Sequence, residues 1–439
     1  MKRREFLEAS MAAGAGAWLL SSRGAAAEPG ASSPPLNVGL IGCGVQGRAL
    51  VNATVGIPNV RFAAVCDIWE YSRNTVQNLL KTYGQAVRPY ADYREMLDRE
   101  KNLGAVLVAT PDFIHAEQTN ACLKAGLHVY CEKMMANSLD GARSMVRTAR
   151  ATGKLLQIGY QRRSNPRYLH VVQKLLREAK LAGRLTHVAG QWNHPVTEEV
   201  GWPKRQVIPD DVLRKYGYAN MHEFRNWRAM RKFGGGPLAD FGAHQVDVAN
   251  WFLGLTPKTV LAAGGLDFYK SCQWPDNIMA ALEYETPEGT VRGLHQVLTT
   301  TSAGGSGNFE HVMGEEGSLK ISENPKWTKV YREPNAGEWD DWISRNYLSK
   351  KDKAPPIVTT GGEVNVRETG LVESYDFPVV LDKPPHQPHL ENFFAAIRGQ
   401  AKLNCPAEEA FRTEAVIWKI YAALEARKML SFAPEDFSV

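Results

Sequence analysis

Seven residues, Ile41-Gly42-Cys43-Gly44-Val45-Gln46-Gly47, have the composition and spacing of a turn that holds a dinucleotide. Gly42 permits the tight turn, Gly44 lets a pyrophosphate approach the backbone, and Gly47 packs the following helix against the preceding strand. The backbone at Gly44, Val45 and Gln46 opens that helix, so its N–H groups and positive dipole end face the phosphates. Asp67 lies twenty residues beyond Gly47. There it would accept hydrogen bonds from the ribose hydroxyls and repel a 2′-phosphate, which favours NAD; Arg73 nearby keeps NADP as the alternative. Lys133 follows a second apolar run, at the strand end where such a nucleotide lies. Far downstream, Asp240 and His244 are four residues apart behind Gly234-Gly235-Gly236-Pro237. A helix beginning near Asp240 would place both on one face, with Asp247 continuing it. Oxidising a secondary alcohol needs a hydride acceptor and a group that takes the hydroxyl proton. A nucleotide turn, a lysine at a strand end and an Asp/His pair together meet that need.

The elements that must position these groups alternate strand and helix in the doubly wound manner. Leu36-Asn37-Val38-Gly39-Leu40-Ile41 runs into the glycine turn, and Val60-Arg61-Phe62-Ala63-Ala64-Val65-Cys66 ends on Asp67. Further short apolar strands are expected at 105–110, 128–131 and 155–160, with helices between them. Beyond Gly254 the pattern changes to longer, partly alternating strands at 259–268, 277–284, 291–299 and 309–313, which fit a sheet with one face on helices and one exposed or paired. The expected organisation is a leader at 1–27, a Rossmann domain with a parallel sheet at 34–160, and a C-terminal α+β domain with a large open, mainly antiparallel sheet at 161–404. A helix and tail close the chain at 405–439, the helix running over 407–430. Residues 323–385, rich in Pro, Gly, Lys and Trp (Trp327, Trp339, Trp342), read as a loop-rich insertion, a cleft lid or a subunit arm.

Three stretches, Thr110-Pro111-Asp112-Phe113-Ile114-His115, Gly126-Leu127-His128-Val129-Tyr130-Cys131-Glu132-Lys133 and Gly234 through Asp247, resemble the glucose–fructose oxidoreductase/inositol dehydrogenase (Gfo/Idh/MocA) family, in the right order and over nearly the whole chain after the leader. The resemblance implies sugar or polyol substrates. It extends the cofactor contacts to Thr110, Pro111, His115, Glu132 and Lys133. It gives Lys133 contact with both cofactor and substrate hydroxyl, makes His244 a proton acceptor or relay, and makes Asp240 its substrate-side partner. Asp247 is expected to be structural, pairing with a helix end or a basic residue. The family usually has Pro after the Glu-Lys pair, whereas this chain has Met134. Tyr160 and Arg162 resemble the segment that enters the cleft, and Trp227 and Arg228 could stack on and hydrogen-bond a sugar ring. Members commonly associate through the C-terminal sheet, so a homo-oligomer is expected.

Composition excludes several other classes. Hydrophobic residues make up 44% and charged residues 23%, as in an ordinary globular enzyme. The net charge is +5; Lys2, Arg3, Arg4 and Arg23 against Glu5 and Glu8 account for two of it, and the remaining surplus, unclustered, gives no reason to expect nucleic acid. The six cysteines show no Cys-x-x-Cys spacing, no His/Asp/Glu cluster has metal-site spacing, and no disulfide is expected. Lys2-Arg3-Arg4-Glu5-Phe6-Leu7, a short apolar stretch and Ala25-Ala26-Ala27 read as a twin-arginine signal. Its apolar part is too short to span a bilayer stably, and the signal implies export, to the periplasm or beyond, of an already folded protein. The reading that follows is an exported NAD(P)-dependent oxidoreductase acting on a sugar or cyclitol hydroxyl. Its alternative is a glycosidase that uses bound NAD for transient oxidation and elimination, with no net redox change.

Overall fold

A computed structural model describes residues 35–196, 199–305, 307–352 and 372–439; the expected leader at 1–27 lies outside them. The first sheet is assembled from β1 Leu36–Ile41, β2 Val60–Cys66, β3 Arg88–Tyr90, β4 Ala105–Val108, β5 His128–Cys131 and β6 Leu156–Ile158. They lie in the order β3-β2-β1-β4-β5-β6, all parallel. β4 is buried at every residue, as expected of a strand covered on both faces. Helices α1 Val45–Thr54, α2 Glu70–Thr82, α3 Tyr93–Arg99, α4 Asp112–Lys124 and α5 Leu139–Thr152 connect them. α5 shows how locally these elements are determined. Ser138 caps its start by accepting from the Gly141 N–H, and Gly153 ends it in the left-handed conformation (φ 64°). The strand order reverses between β1 and β4, which opens a crevice at their carboxyl ends.

The second sheet has ten strands: β7 Leu185–Asn193, β8 Thr259–Gly265, β9 Asn277–Thr286, β10 Gly289–Leu298, β11 Asn308–Gly314, β12 Gly317–Ile321, β13 Lys329–Arg332, β14 Ser349–Asp352, β15 Glu373–Asp376 and β16 Leu430–Ser431. Their order is β14-β15-β13-β12-β11-β7-β10-β9-β8-β16. β7 runs parallel to β10, and the other described pairs are antiparallel. Helices α6 Ala243–Leu253 and α8 Ala407–Ala426 pack against it, and α8 also packs on α5 of the first sheet. α7 Gln387–Ile397 returns to the nucleotide half, where Leu390, Phe393 and Phe394 fill the core beneath β1, β4 and β5. Both sheets belong to one packed unit, Leu36–Val439.

Several expectations change here. β7, a central strand of the second sheet, was not anticipated, because Leu-Thr-His-Val-Ala-Gly-Gln-Trp-Asn is half polar and carries a glycine. β8 stops at Gly265 rather than 268, since the Asp276 carboxylate accepts the N–H groups of Asp267, Phe268 and Tyr269 and folds them into a turn. The described parts of 323–385 are not a lid: β13, β14 and β15 widen the sheet, and Trp339 is buried against Tyr375, ring centres 5.3 Å apart. The closing helix ends at Ala426, where Arg427 turns left-handed (φ 52°), so that Leu430 can pair with Val260.

Candidate functional site

The glycine turn is dictated by steric contact. A Cβ at Gly42 (φ 96°) would stand 2.5 Å from the Ala109 carbonyl, and one at Gly47 would stand 1.9 Å from the Gly42 carbonyl oxygen. At Gly44 the space is open to 4 Å, so a phosphate can reach the backbone. α1 starts with no side-chain cap and no acidic residue in its first turn, leaving its amides to an anion. At the end of β2, the Asp67 carboxylate accepts the N–H groups of Cys43 (2.7 Å) and Trp69 (2.8 Å). Burial raises its pKa, against the pull of those two donors. Arg73 is directed onto the Asp67 backbone carbonyl. Gly42, Gly44, Val45, Gln46 and Asp67 all line a cavity of about 830 Å³ that opens between the two sheets. An anionic dinucleotide therefore fits these residues: open amides for the pyrophosphate and a carboxylate for the ribose.

Thr110, Pro111, Glu132 and Lys133 line the same cavity. Glu132, which is buried, accepts from Gln46 Nε2 (3.0 Å), and that amide nitrogen also lies 2.9 Å from His386 Nε2. Lys133 Nζ donates to the Asp240 carbonyl oxygen (2.7 Å) and to its Oδ1 (3.3 Å). Arg228 Nε pairs with Asp240 Oδ2 at 3.0 Å, while its guanidinium lies over the Trp227 ring. Burial alone would raise the Asp240 carboxyl; Arg228 and Lys133 outweigh it and hold the group below the usual carboxylate range. Asp112, first residue of α4, accepts the Gly235 N–H at 3.0 Å; burial and the Asp240 charge push its carboxyl up to about 7.

His244 stands in the wall with its ring between Tyr160 and Trp192, centroids 5.8 and 5.6 Å away. Burial, reinforced by the charges of Arg162 and Lys133, drives its pKa well below 6.5, so the ring is held neutral. Its Nδ1 is buried with no hydrogen-bond partner among the described residues. Asp240 does not pair with it. Residues Leu238–Gly242 form a wide π-type turn before α6, which breaks the four-residue register and turns Asp240 towards Lys133.

Three expected site residues stand behind the wall instead of lining it. His115 is buried and bridges the carbonyls of Thr110 (2.6 Å) and Met134 (2.7 Å), tying the loops after β4 and β5 together. Tyr160 is buried, its hydroxyl directed at Glu414. Arg162 is consumed by an internal cluster with Glu310, Glu323 and Asn308. Burying a guanidinium demands such partners, and they hold both terminal nitrogens in the internal cluster. Trp227 and Arg228 do line the cavity. Asp247 pairs with Arg163 at 2.9 Å and accepts from Thr413, the structural part expected of it. Gln161, from the Tyr160–Arg163 segment expected to enter the cleft, does line the cavity, as do Trp192, Phe241 and His386, which were not singled out. Trp192 lies on the unread β7, and His386 follows a proline pair with no telling spacing; Asp112 and Phe241, both inside quoted motifs, carried a signal. Among the described residues, no group of three or more His, Cys, Asp or Glu is arranged to hold a metal, and no helix is long and apolar enough to cross a membrane.

Comparison with known proteins follows this geometry. Residues 36–160 match the Gfo/Idh/MocA family model described as "Oxidoreductase family, NAD-binding Rossmann fold", and residues 212–431 match its "C-terminal alpha/beta domain". Inositol 2-dehydrogenase 2 of Saccharopolyspora erythraea is 27% identical over 52% of this chain and 56% of its own length. D-glucoside 3-dehydrogenase of Escherichia coli is 32% identical over 51% of this chain and 55% of its own. The aligned part thus spans a little over half of these curated relatives. The WlbA dehydrogenase from Bordetella pertussis, solved in complex with NADH and UDP-GlcNAcA, shares the fold at 19% identity, with a TM-score of 0.62 over 91% of this chain and 99% of that one.

Proposed function

The chain belongs to the Gfo/Idh/MocA oxidoreductase family, with its NAD-binding Rossmann fold, and from that premise we propose that it oxidises a secondary hydroxyl of a sugar or cyclitol. The observation that carries the reading is the convergence on one cavity of the glycine turn, the Lys133–Asp240 pair and a neutral His244. NAD, when bound, supplies the hydride acceptor. The Lys133 ammonium, oriented by the Asp240 carbonyl and carboxylate, donates to the substrate oxygen and stabilises negative charge as its proton leaves. His244, neutral and with an unpaired Nδ1, is the group assigned to receive that proton, against the burial and neighbouring charges that oppose its protonated form. Trp192, Phe241 and Trp227 offer aromatic faces to a sugar ring. Arg73, committed to the Asp67 carbonyl, supports NAD over NADP.

The test is a panel of neutral sugars and cyclitols with the purified protein, following NADH absorbance with native chain and Lys133→Met. Substrate-dependent reduction in the native chain and its loss in the variant support the reading; no reduction with any substrate sinks it. Release of p-nitrophenol from a p-nitrophenyl glycoside without net NADH would favour the redox-neutral alternative.

Two further parts of the reading rest on other features. The outer face of β8, β9 and β10 exposes Leu261, Met279 and Leu294 around Ala281, an apolar strip that a second copy would cover. Analytical ultracentrifugation tests for the homo-oligomer. Export by the twin-arginine route rests on Lys2-Arg3-Arg4-Glu5-Phe6-Leu7, and replacing Arg3 and Arg4 by Lys should leave the protein in the cytoplasm.

A further inference from the structure

Of the arginines that line the cavity, Arg94 and Arg225 are committed to protein partners. Arg94 pairs with Glu117 and Asp92; Arg225 donates to the Gly201 carbonyl (3.2 Å) and lies 5.0 Å from the centre of the Trp69 ring. Arg228 differs. Its Nε reaches Asp240 Oδ2 at 3.0 Å and its guanidinium stands 4.2 Å over the Trp227 ring; it makes no further hydrogen bond, ion pair or ring contact among the described residues. Asp240 divides its oxygens between Arg228 and Lys133, so most of the Arg228 N–H groups are left without a protein acceptor. The side chain is 59% exposed, against 1% for the enclosed Arg162.

This open fork is nevertheless held in place. Residues Trp227–Ala229 form one short helical turn, closed by the Ala229 N–H on the Asn226 carbonyl (3.0 Å) and tied to a remote segment by the Gln273 N–H on the Ala229 carbonyl (2.8 Å). Asn226, buried, accepts the Val200 N–H at 2.6 Å. Gly234 lets the turn sit against the glycine run: a Cβ there would stand 3.0 Å from the Trp227 ring and 3.4 Å from the Arg228 backbone. A guanidinium fixed in plane by stacking, with N–H groups open to a cavity, matches a planar carboxylate and has already lost the freedom that binding would cost. The charges point the same way. Lys133 and Arg228 are two cations sharing the single Asp240 carboxylate, while the neighbouring acids Glu132 and Asp112 are engaged by Gln46 and the Gly235 N–H. A further carboxylate beside Arg228 would complete the pairing.

We propose that Arg228 binds a carboxylate carried by the substrate, so that the chain acts on an acidic sugar, a uronate or aldonate, in preference to its neutral counterpart. This rests on the reading of the cavity as a site of sugar oxidation. Arg228 and Lys133 share Asp240, so the two stand within a monosaccharide's length of each other. A sugar anchored by its carboxylate at Arg228 presents a hydroxyl to the Lys133 ammonium. The carboxylate itself is unchanged by the reaction. The hydroxyl-bearing carbon gives its hydride to NAD, the hydroxyl oxygen gives up its proton, and the product leaves as a keto acid.

The experiment uses the full chain with NAD. Each neutral sugar is run beside the acid of the same skeleton, D-glucose beside D-glucuronate and D-galactose beside D-galacturonate, with D-glucose 6-phosphate as a non-planar anion. We expect kcat/KM for an acid at least about tenfold above its neutral partner, carried mainly by KM, the worth of one charge-assisted hydrogen bond. Arg228→Gln should bring that ratio close to unity, and Arg228→Lys, which keeps the charge but not the fork, should retain only part of it. Calorimetry of D-glucuronate and D-glucose on the NADH-loaded chain reads the same preference without turnover. Circular dichroism establishes that each variant is folded. Neutral sugars oxidised as well as their acids overturn the proposal and leave the oxidoreductase reading standing. So does an acid preference that survives Arg228→Gln, or a larger preference for the phosphate. An Arg228→Gln variant whose only loss is in NADH affinity assigns the arginine to the nucleotide and overturns the proposal as well. No oxidation of any sugar overturns both.

Discussion

The Lys133 end of the cavity and the Trp69 end are built from different materials. At the first, charged and polar contacts join the two halves of the chain beside the cavity: Lys133 to Asp240, Asp112 to the Gly235 N–H, Met135 N–H to Glu414. At the second, the halves meet through Trp69, Phe113, Phe224 and Phe233, with a single indole hydrogen bond and a single backbone one. Polar contacts depend on charge state and geometry, so they can tune a proton's position. Aromatic contacts are insensitive to pH and gain from area alone, so they suit enclosure. One cavity thus separates the part that must change during a reaction from the part that must not.

The largest expected effect is at the polar end. Lys133→Met should lower kcat by about 10³-fold or more, because the charge that forms on the substrate oxygen loses its donor. NADH affinity should shift little, and an equal loss of both would mean that the lysine serves the nucleotide alone. Asp240→Asn should cost about 10²-fold in kcat, since it removes the carboxylate that pairs with both Arg228 and Lys133. Unchanged kcat in that variant would remove Asp240 from the chemistry.

A pH series sharpens the contrast further. Burial pushes the Glu414 carboxyl up to about 8, so the folded chain holds a proton that the unfolded chain has released. A raised carboxyl weakens the fold as pH climbs from the unfolded value towards 8. Buried His295 and His389, lowered to about 4 and about 3, act oppositely: the unfolded chain binds protons that they refuse, so stability falls as pH drops below about 6.5. Thermal stability should therefore peak near pH 6.5. Glu414 alone should account for about 2 kcal/mol of loss between pH 6.5 and 8. Glu414→Gln should flatten the alkaline arm of a melting curve series, and a native arm that is already flat would count against this account. The smallest effect is expected at Asp67, where replacement by Asn should weaken NADH binding by about tenfold, the worth of one charged hydrogen bond. Titration calorimetry would register it, with kcat at saturation unchanged.

The nucleotide half was legible because its signals are local. Each of β1, β2, β4 and β5 is a short apolar run, and Gly47 is required by a contact within its own strand–turn–helix unit, although Gly42 must also clear Ala109 beyond β4. β7 escaped because a mixed polar strand is stabilised by its neighbours β10 and β11, which lie more than a hundred residues downstream. Tyr160 and Arg162 follow a strand that ends at the crevice, yet which way each side chain turns depends on Glu414 and Glu310, residues remote in sequence.

By itself the sequence determined that a glycine turn, an acidic residue and a lysine would meet at one sheet edge, since all three lie in or directly after strands of one domain. Tertiary structure alone decided that Asp240 serves Lys133 and not His244, because a wide turn reset the register. It also decided that His244 is neutral, because burial and the Arg162 and Lys133 charges from separate segments set its state. And it decided that Trp69 is covered, because the chain that buries it begins 130 residues further on. Such facts depend on distance in space, which spacing along the chain does not encode.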